Sequence, residues 1–460
     1  MSESMEQVQQ PAGGCCGGGC CGGGQAQEPA TSAGSESLQL QAQQQQAQEQ
    51  QARRETKAPA ATGVHIEPGA AVPSATPAAQ AGPEHVEEPV AYDGILLSGF
   101  GGPEGQDDVI PFLRNVTRGR GIPDERLEEV STHYRHFGGV SPINQQNRDL
   151  KAVFEAALAE AGIDLPVYWG NRNWAPYLDE ALQEAAAAGA SKLLAIPTSA
   201  YSSYSSCRQY REDWADALEA TGLQATMQID KVRQFFNHPG FLGTFVDGVR
   251  STVEEARAAG VADAQIEVLF ATHSIPTADA ERSGAPDLHQ WGPGGGYEGQ
   301  HLAAAEWVMA QAAPGVAWQL VYQSRSGPAS QPWLEPDIND AIEELAAAAK
   351  QAGSEGGRTA IVIVPLGFVS DHMEVMWDLD EEAIETATEA GLWVRRAPTP
   401  GVDPRYVGAL VDLVQERLEG RPVADRKAVT SIHAWYDVCR PGCCENPRLG
   451  FRPAIAGLQP

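Results

Sequence analysis

The chain has 460 residues and a net charge of −29 at pH 7. That balance excludes a nucleic-acid binder, which needs basic patches. No run of about 18 apolar residues marks a membrane span, and no basic segment followed by an apolar one marks a secretory signal.

Residues 1–90 contain no Phe, Trp or Tyr and are dominated by Gln, Ala, Gly, Pro and Glu. Such a segment buries too little apolar surface to offset its ordering entropy, and a disordered low-complexity tail is expected there. It holds ten acids and three bases, so it carries −7 of the charge and the remainder carries −22. The acidic remainder reads as a solubility or salt-adaptation feature, or as a means of concentrating cations near a site. Cys15, Cys16, Cys20 and Cys21 lie in a glycine-rich run that would bind soft metal ions loosely or have no specific role. A cytoplasmic setting is expected, with cysteines reduced, metal-bound or catalytic.

From residue 91 onward, apolar strand-like runs alternate with helical stretches. Strands are predicted over 94–97, 165–169, 192–196, 266–270, 318–322, 359–365 and 392–395. Helices are predicted over 177–188, 237–258, 299–313, 337–352 and 404–418. This alternation predicts an α/β fold with one or two mostly parallel sheets covered by helices on both faces. A folded region over 91–420 is expected, with a lobe boundary near 235–240, then a Cys-rich extension over 421–460.

The strand ends carry the chemistry. Loops at the carboxyl edge of such sheets build the ligand site. The apolar run Ile266-Glu267-Val268-Leu269-Phe270 leads into Ala271-Thr272-His273-Ser274-Ile275-Pro276, which places a histidine at a strand end. The run 361–364 leads into Gly367-Phe368-Val369-Ser370-Asp371-His372-Met373-Glu374. His273 and a carboxylate from the second loop are therefore candidates to share one ligand, for metal or proton chemistry. Asp371, Glu374, Asp378 and Glu381 would share one helical face, as a solvated surface or as a carboxylate path for hydrated cations. The run Gly99-Phe100-Gly101-Gly102-Pro103-Glu104 does not fit a dinucleotide fingerprint, because Glu104 stands where the third glycine belongs. It suits close backbone approach to a flat ligand. Cys439, Cys443 and Cys444 would need a fourth ligand, and Cys207 is the other cysteine outside the tail; an iron–sulfur cluster, zinc or free thiols all fit the residues alone.

Taken together, Leu96-Leu97-Ser98-Gly99-Phe100-Gly101-Gly102-Pro103-Glu104, His136-Phe137-Gly138-Gly139-Val140-Ser141-Pro142-Ile143, Gly170-Asn171-Arg172-Asn173-Trp174, Thr272-His273-Ser274-Ile275-Pro276, Gln323-Ser324-Arg325-Ser326-Gly327-Pro328, Pro332-Trp333-Leu334-Glu335-Pro336-Asp337 and the Phe368–Glu374 run resemble the ferrochelatase family in order and spacing. The resemblance covers about residues 92–420. It is nearest to the actinobacterial branch, which inserts Fe2+ into coproporphyrin III on the way to haem. It implies two similar Rossmann-like lobes, the chelatase fold, with the porphyrin in the cleft between them.

The resemblance also implies roles. His273 and Glu374 would be the catalytic pair and hold the incoming Fe2+, with Asp371, Asp378 and Glu381 on or near an acidic metal path. Phe100, Arg118, Tyr134, Ser141 and Tyr201 would contact the substrate, the last four through its propionates. Phe100 stands where some relatives have a tyrosine, and it cannot ligate iron. Some members hold a [2Fe-2S] cluster on three C-terminal cysteines and one internal cysteine, which would here be Cys439, Cys443, Cys444 and Cys207. Expected partners are the porphyrin, Fe2+ and, transiently, the next enzyme of the haem pathway. Protoporphyrin IX as substrate, a non-catalytic tetrapyrrole carrier and a cobalt chelatase are the alternative readings.

Overall fold

Runs such as 95–97 and 361–364 are apolar on both faces, and a strand of that kind is stable only where helices cover both sides of its sheet. The computed structural model of the chain describes residues 65–68, 83–285, 291–327, 330–352, 357–446 and 452–458, and contains two such sheets. The sheet that is first to be completed along the chain consists of β2 (Gly94–Gly99), β3 (Val167–Asn171), β4 (Lys192–Pro197) and β5 (Gln228–Lys231), all parallel, in the order β3-β2-β4-β5. In the other, β6 (Ile266–His273), β7 (Ala317–Gln323), β8 (Ala360–Val364) and β9 (Trp393–Arg396) are parallel. There β1 (His65–Ile66) pairs antiparallel with β7, giving the order β1-β7-β6-β8-β9.

All the predicted strands are present, shifted by a few residues. β5 was not predicted, because only Ile229 gives it an apolar signature. Its Lys231 is buried, and the ammonium donates to the carbonyls of Val232 and Tyr436 and to Gln234 Oε1 at 3.0–3.2 Å. A buried cation with every donor used is tolerated in a strand that reads as polar. The predicted boundary falls where β5 ends and the helix Pro239–Ala258 begins.

The inner faces of both sheets share one core. Leu97 and Ile196 from the first sheet and Phe270 and Val364 from the second meet Phe241 and Phe245 of the helix Pro239–Ala258 and Leu410 and Leu413 of Pro404–Glu419. Burying each such side chain contributes roughly 1.5–3 kcal/mol. The outer faces carry their own apolar clusters under the helices Leu178–Ala187 and Gln209–Thr221 and under Ile338–Ala352. Among the described residues no helix is long and apolar enough to cross a membrane.

The expectation of a disordered segment through residue 90 does not hold at β1 or at its end. Residues 83–90 lie against the C-terminal extension: Val438 N–H donates to the Glu84 carbonyl at 3.0 Å, and Val86 N–H donates to Asp437 Oδ2 at 2.8 Å. Composition misses this, because backbone groups and a few polar side chains of 83–90, such as Glu87 accepting from Val423 N–H at 2.7 Å, make the contacts. Cys15, Cys16, Cys20 and Cys21 lie outside the described residues.

At β1, His65 Nδ1 lies 2.8 Å from the buried Glu267 and Nε2 2.9 Å from Glu67. Hydrogen bonding to Glu267 raises the His65 pKa to about 9 from 6.5. A raised histidine pKa stabilises the fold fully below pH 6.5, and that gain disappears as pH rises through about 9. His65→Ala is therefore expected to lower the melting temperature most below pH 6.5, with the difference vanishing above about pH 9. A pH-independent difference in parallel thermal scans would reject the pairing.

Candidate active site

The apolar run of β6 delivers His273 as the last residue of the strand. Its Nδ1 hydrogen-bonds the Ser274 carbonyl. A carbonyl oxygen only accepts, so Nδ1 carries a proton, and in the neutral ring Nε2 holds the lone pair. Nε2 lies 3.7 Å from Glu374 Oε2, and both side chains are partly exposed. Two acceptors at that separation are stabilised by a proton or cation shared between them. Glu374 sits in the short turn Met373–Val375, immediately before a π-helical segment Met376–Ala383. π-Helical segments are rare and recur at functional sites.

Around this pair the carboxyl edge of the second sheet adds polar groups. Gln323 Nε2 donates to the Glu374 carbonyl at 3.0 Å and to Asp378 Oδ2 at 3.2 Å, and the Ser324 hydroxyl donates to the same Asp378 oxygen. Burial first, and then the charge of Glu374, pushes the Asp378 carboxyl well above the usual carboxylate range. Burial lowers the His372 pKa, which favours a neutral imidazole beside the pair. Gln323, Ser324 and His372 belong to the quoted motifs, but sequence gave them no individual role.

The first lobe supplies an aromatic cluster. Phe100 is 37% exposed. Phe112, from the helix Val109–Val116, packs edge-on to Phe100 and Trp174 at 6.4 and 6.2 Å and lies 5.8 Å from Tyr134. Arg172 stacks 4.7 Å over Tyr210 and pairs with Asp213 at 2.8 Å. Tyr134 lies in the helix Asp124–His136, and burial, followed by the charges of Glu374 and Asp378, pushes its hydroxyl pKa up. That helix also carries His133, stacked on Trp377 at 4.1 Å and 9°. The two lobes therefore meet at the edge that holds His273.

The remaining expected substrate contacts separate. Arg118 is exposed and donates to Asn115 Oδ1 at 2.7 Å. Ser141 is buried behind Gly102, with its amide on the Pro103 carbonyl at 2.9 Å. Tyr201 is 1% exposed, with its ring stacked 3.6 Å from that of the buried His301. The expectation that it grips a propionate is corrected, because it faces the interior.

The acidic residues do not form the single helical face expected of them. Asp371 precedes the helical turn, and its oxygens accept from Arg396 at 3.2 and 3.4 Å and from Thr399 at 3.0 Å. Asp378 turns inward to Ser324, while Glu381 lies at the surface 3.6 Å from His136 Nε2. A π-helical turn holds more residues than an α-turn, so spacing drawn for an α-helix is rotated apart.

The cysteines from two distant segments converge. Cys207 comes from a second π-helical segment, Tyr204–Arg208, and Cys439, Cys443 and Cys444 come from the C-terminal extension. All are free and buried. Their thiols form one ring of mutually interacting groups, each shifting the titration of its neighbours. Cys443 Sγ and Cys444 Sγ are 3.7 Å apart. Buried Arg211 and Lys231 act electrostatically on the ring. The Cys439 thiol is pulled well below its usual range, first by its bond to Cys207. Among the described residues, no group of three or more His, Cys, Asp or Glu side chains, these cysteines included, is placed to hold a metal ion.

Residues 92–418 match the family model described as Ferrochelatase. A protein named coproporphyrin III ferrochelatase from Leifsonia xyli subsp. xyli is 65% identical over 394 residues, covering 84% of this chain and 99% of that protein. A protein of the same name from Tropheryma whipplei (strain Twist) is 52% identical over 373 residues, covering 80% of this chain and 93% of that protein. Among solved structures, SirB from Bacillus subtilis with Fe3+ aligns with a TM-score of 0.42 at 12% identity, covering 74% of this chain and 100% of that one.

Proposed function

The chain belongs to the ferrochelatase family, and from that membership and the His273–Glu374 geometry we propose that it inserts Fe2+ into coproporphyrin III to give the iron porphyrin. The observation that carries the reading is the Nε2 lone pair of His273 facing the Glu374 carboxylate at 3.7 Å beside an aromatic cluster. The named substrate of the relatives at 65% and 52% identity supports coproporphyrin III.

The chemistry follows from these groups. A free porphyrin carries two pyrrole N–H protons that leave as Fe2+ enters. The exposed Phe100 ring, backed by buried Phe112, suits the macrocycle face. His273 Nε2 can accept a pyrrole proton or ligate the arriving iron, and Glu374 balances the charge or takes the proton on. Burial, then the charge of Glu374, raises the pKa of Asp378 beside this pair. Arg118 and Tyr134 are the donors we assign to the propionates, since an exposed guanidinium matches a carboxylate.

The same reading includes a [2Fe-2S] cluster on Cys207, Cys439, Cys443 and Cys444. The 3.7 Å sulfur separation supports it, because two thiolates bound at about 2.3 Å to one tetrahedral metal lie about 3.8 Å apart. An oxidised cluster with its four thiolates bears a charge of about −2, and buried Arg211 and Lys231 match that sign. Bound there, the cluster would supply one-electron chemistry and metal–thiolate bonds joining the extension to the first lobe.

The test is anaerobic Fe2+ insertion by the full chain with coproporphyrin III and protoporphyrin IX in parallel. A strong preference for coproporphyrin III is expected. Preference for protoporphyrin IX would overturn the substrate, and porphyrin binding without insertion by either would overturn the activity.

A further inference from the structure

Between the cysteines and His273 runs a line of contacts through a segment that the chemistry above leaves unused. Gly295 and Gly296 open the helix Gly295–Ala312. Gly295 has φ 62°, and a Cβ there would fall 1.7 Å from the Ala280 carbonyl oxygen. A Cβ on Gly296 would fall 2.8 Å from Gly284 Cα. The two glycines therefore seat the helix start directly on the turn 280–284.

From that turn, Gly284 N–H donates to Cys444 Sγ at 3.4 Å, and the Arg282 carbonyl accepts from Cys444 N–H at 3.1 Å. Ser283 Oγ accepts from the Tyr297 amide at 2.7 Å. The Tyr297 hydroxyl crosses to β6, donates to the His273 carbonyl at 3.0 Å and lies 2.7 Å from Thr272 Oγ1. With one proton on each hydroxyl, Thr272 donates to Tyr297 and Tyr297 to His273. Ser283, Thr272 and Tyr297 are all buried, so water does not compete for these bonds.

We propose that Tyr297 is a positioning residue that holds His273 in register with the turn 280–284, to which Cys444 is hydrogen-bonded. This rests on the reading of His273 as the acceptor of proton or metal. The physical basis is that a displacement of about 1 Å at a reacting group costs on the order of 10²-fold in rate.

Tyr297→Phe keeps the ring and removes only the hydroxyl. Its kcat for Fe2+ insertion is expected to fall about tenfold, with KM for coproporphyrin III within about twofold and the protein's own visible spectrum unchanged. Ser283→Ala should act in the same direction by a smaller factor. Combined with Tyr297→Phe it should add little, because both break one line of contacts. Hydrogen exchange by mass spectrometry, which needs no turnover, should speed up over residues 272–276 in Tyr297→Phe and stay at the parent rate over 359–365. Unchanged kcat in Tyr297→Phe, or faster exchange throughout the fold, would overturn the proposal. Should the parent insert no iron, the functional reading fails, and the exchange pattern still decides the positioning role.

Discussion

Glu374→Gln is expected to insert iron at least about 100-fold more slowly than the parent while binding coproporphyrin III with unchanged affinity. Glutamine keeps the size of the side chain and loses its charge and basicity. Glu374 is 47% exposed, so the fold does not depend on its charge. The cost therefore falls on the reacting state. Insertion removes positive charge, as protons, from the macrocycle at the moment a dication arrives, and an amide facing His273 Nε2 can neither take a proton nor balance the metal. A rate loss with intact binding is the pattern of an interaction made mainly in the transition state. The checks are initial rates by absorbance under anaerobic conditions and porphyrin affinity by fluorescence quenching. An unchanged rate would remove Glu374 from the chemistry.

Cys443→Ser is expected to yield colourless protein with a lowered melting temperature. Cys443 is 2% exposed and lies between Cys439 and Cys444 in the sulfur ring. A serine hydroxyl is a poor ligand for a site built from soft donors. Losing the cluster would leave the extension attached by hydrogen bonds such as Arg211 Nε to the Ile455 carbonyl at 2.7 Å. At this size each lost kcal/mol lowers the melting temperature by about 1–2 °C. The visible spectrum and a thermal scan of freshly purified protein decide it. A retained visible spectrum would reject this ligand set.

The sheets and the strand-end histidine were legible because both depend on local signals. Apolar runs such as 266–270 and 361–364 specify buried strands, and the polar residues after them fall at the carboxyl edge. What was not legible depends on contacts between distant segments. β5 reads as polar, yet its Lys231 is buried because acceptors such as the Tyr436 carbonyl, 205 residues away, take its hydrogen bonds. Residues 83–90 are held by groups from the far end of the chain. The acidic spacing misled because the segment Met376–Ala383 winds as a π-helix. Tyr201 carried an expectation from resemblance that its burial removes. Tyr297 follows three glycines, and nothing local indicates that its hydroxyl reaches the histidine carbonyl.

The hydrogen bond from His273 Nδ1 to the Ser274 carbonyl has a consequence in time. With that nitrogen committed, the ring has a single working face and cannot pass a proton through itself from one side to the other. Whatever Nε2 takes from the macrocycle must leave again by Nε2. On the proposed reading of His273 as proton acceptor, loss of two protons would require the histidine to be emptied before it serves twice, with Glu374, 3.7 Å away, to empty it. The site would then work as a turnstile, with the macrocycle deprotonated in sequence.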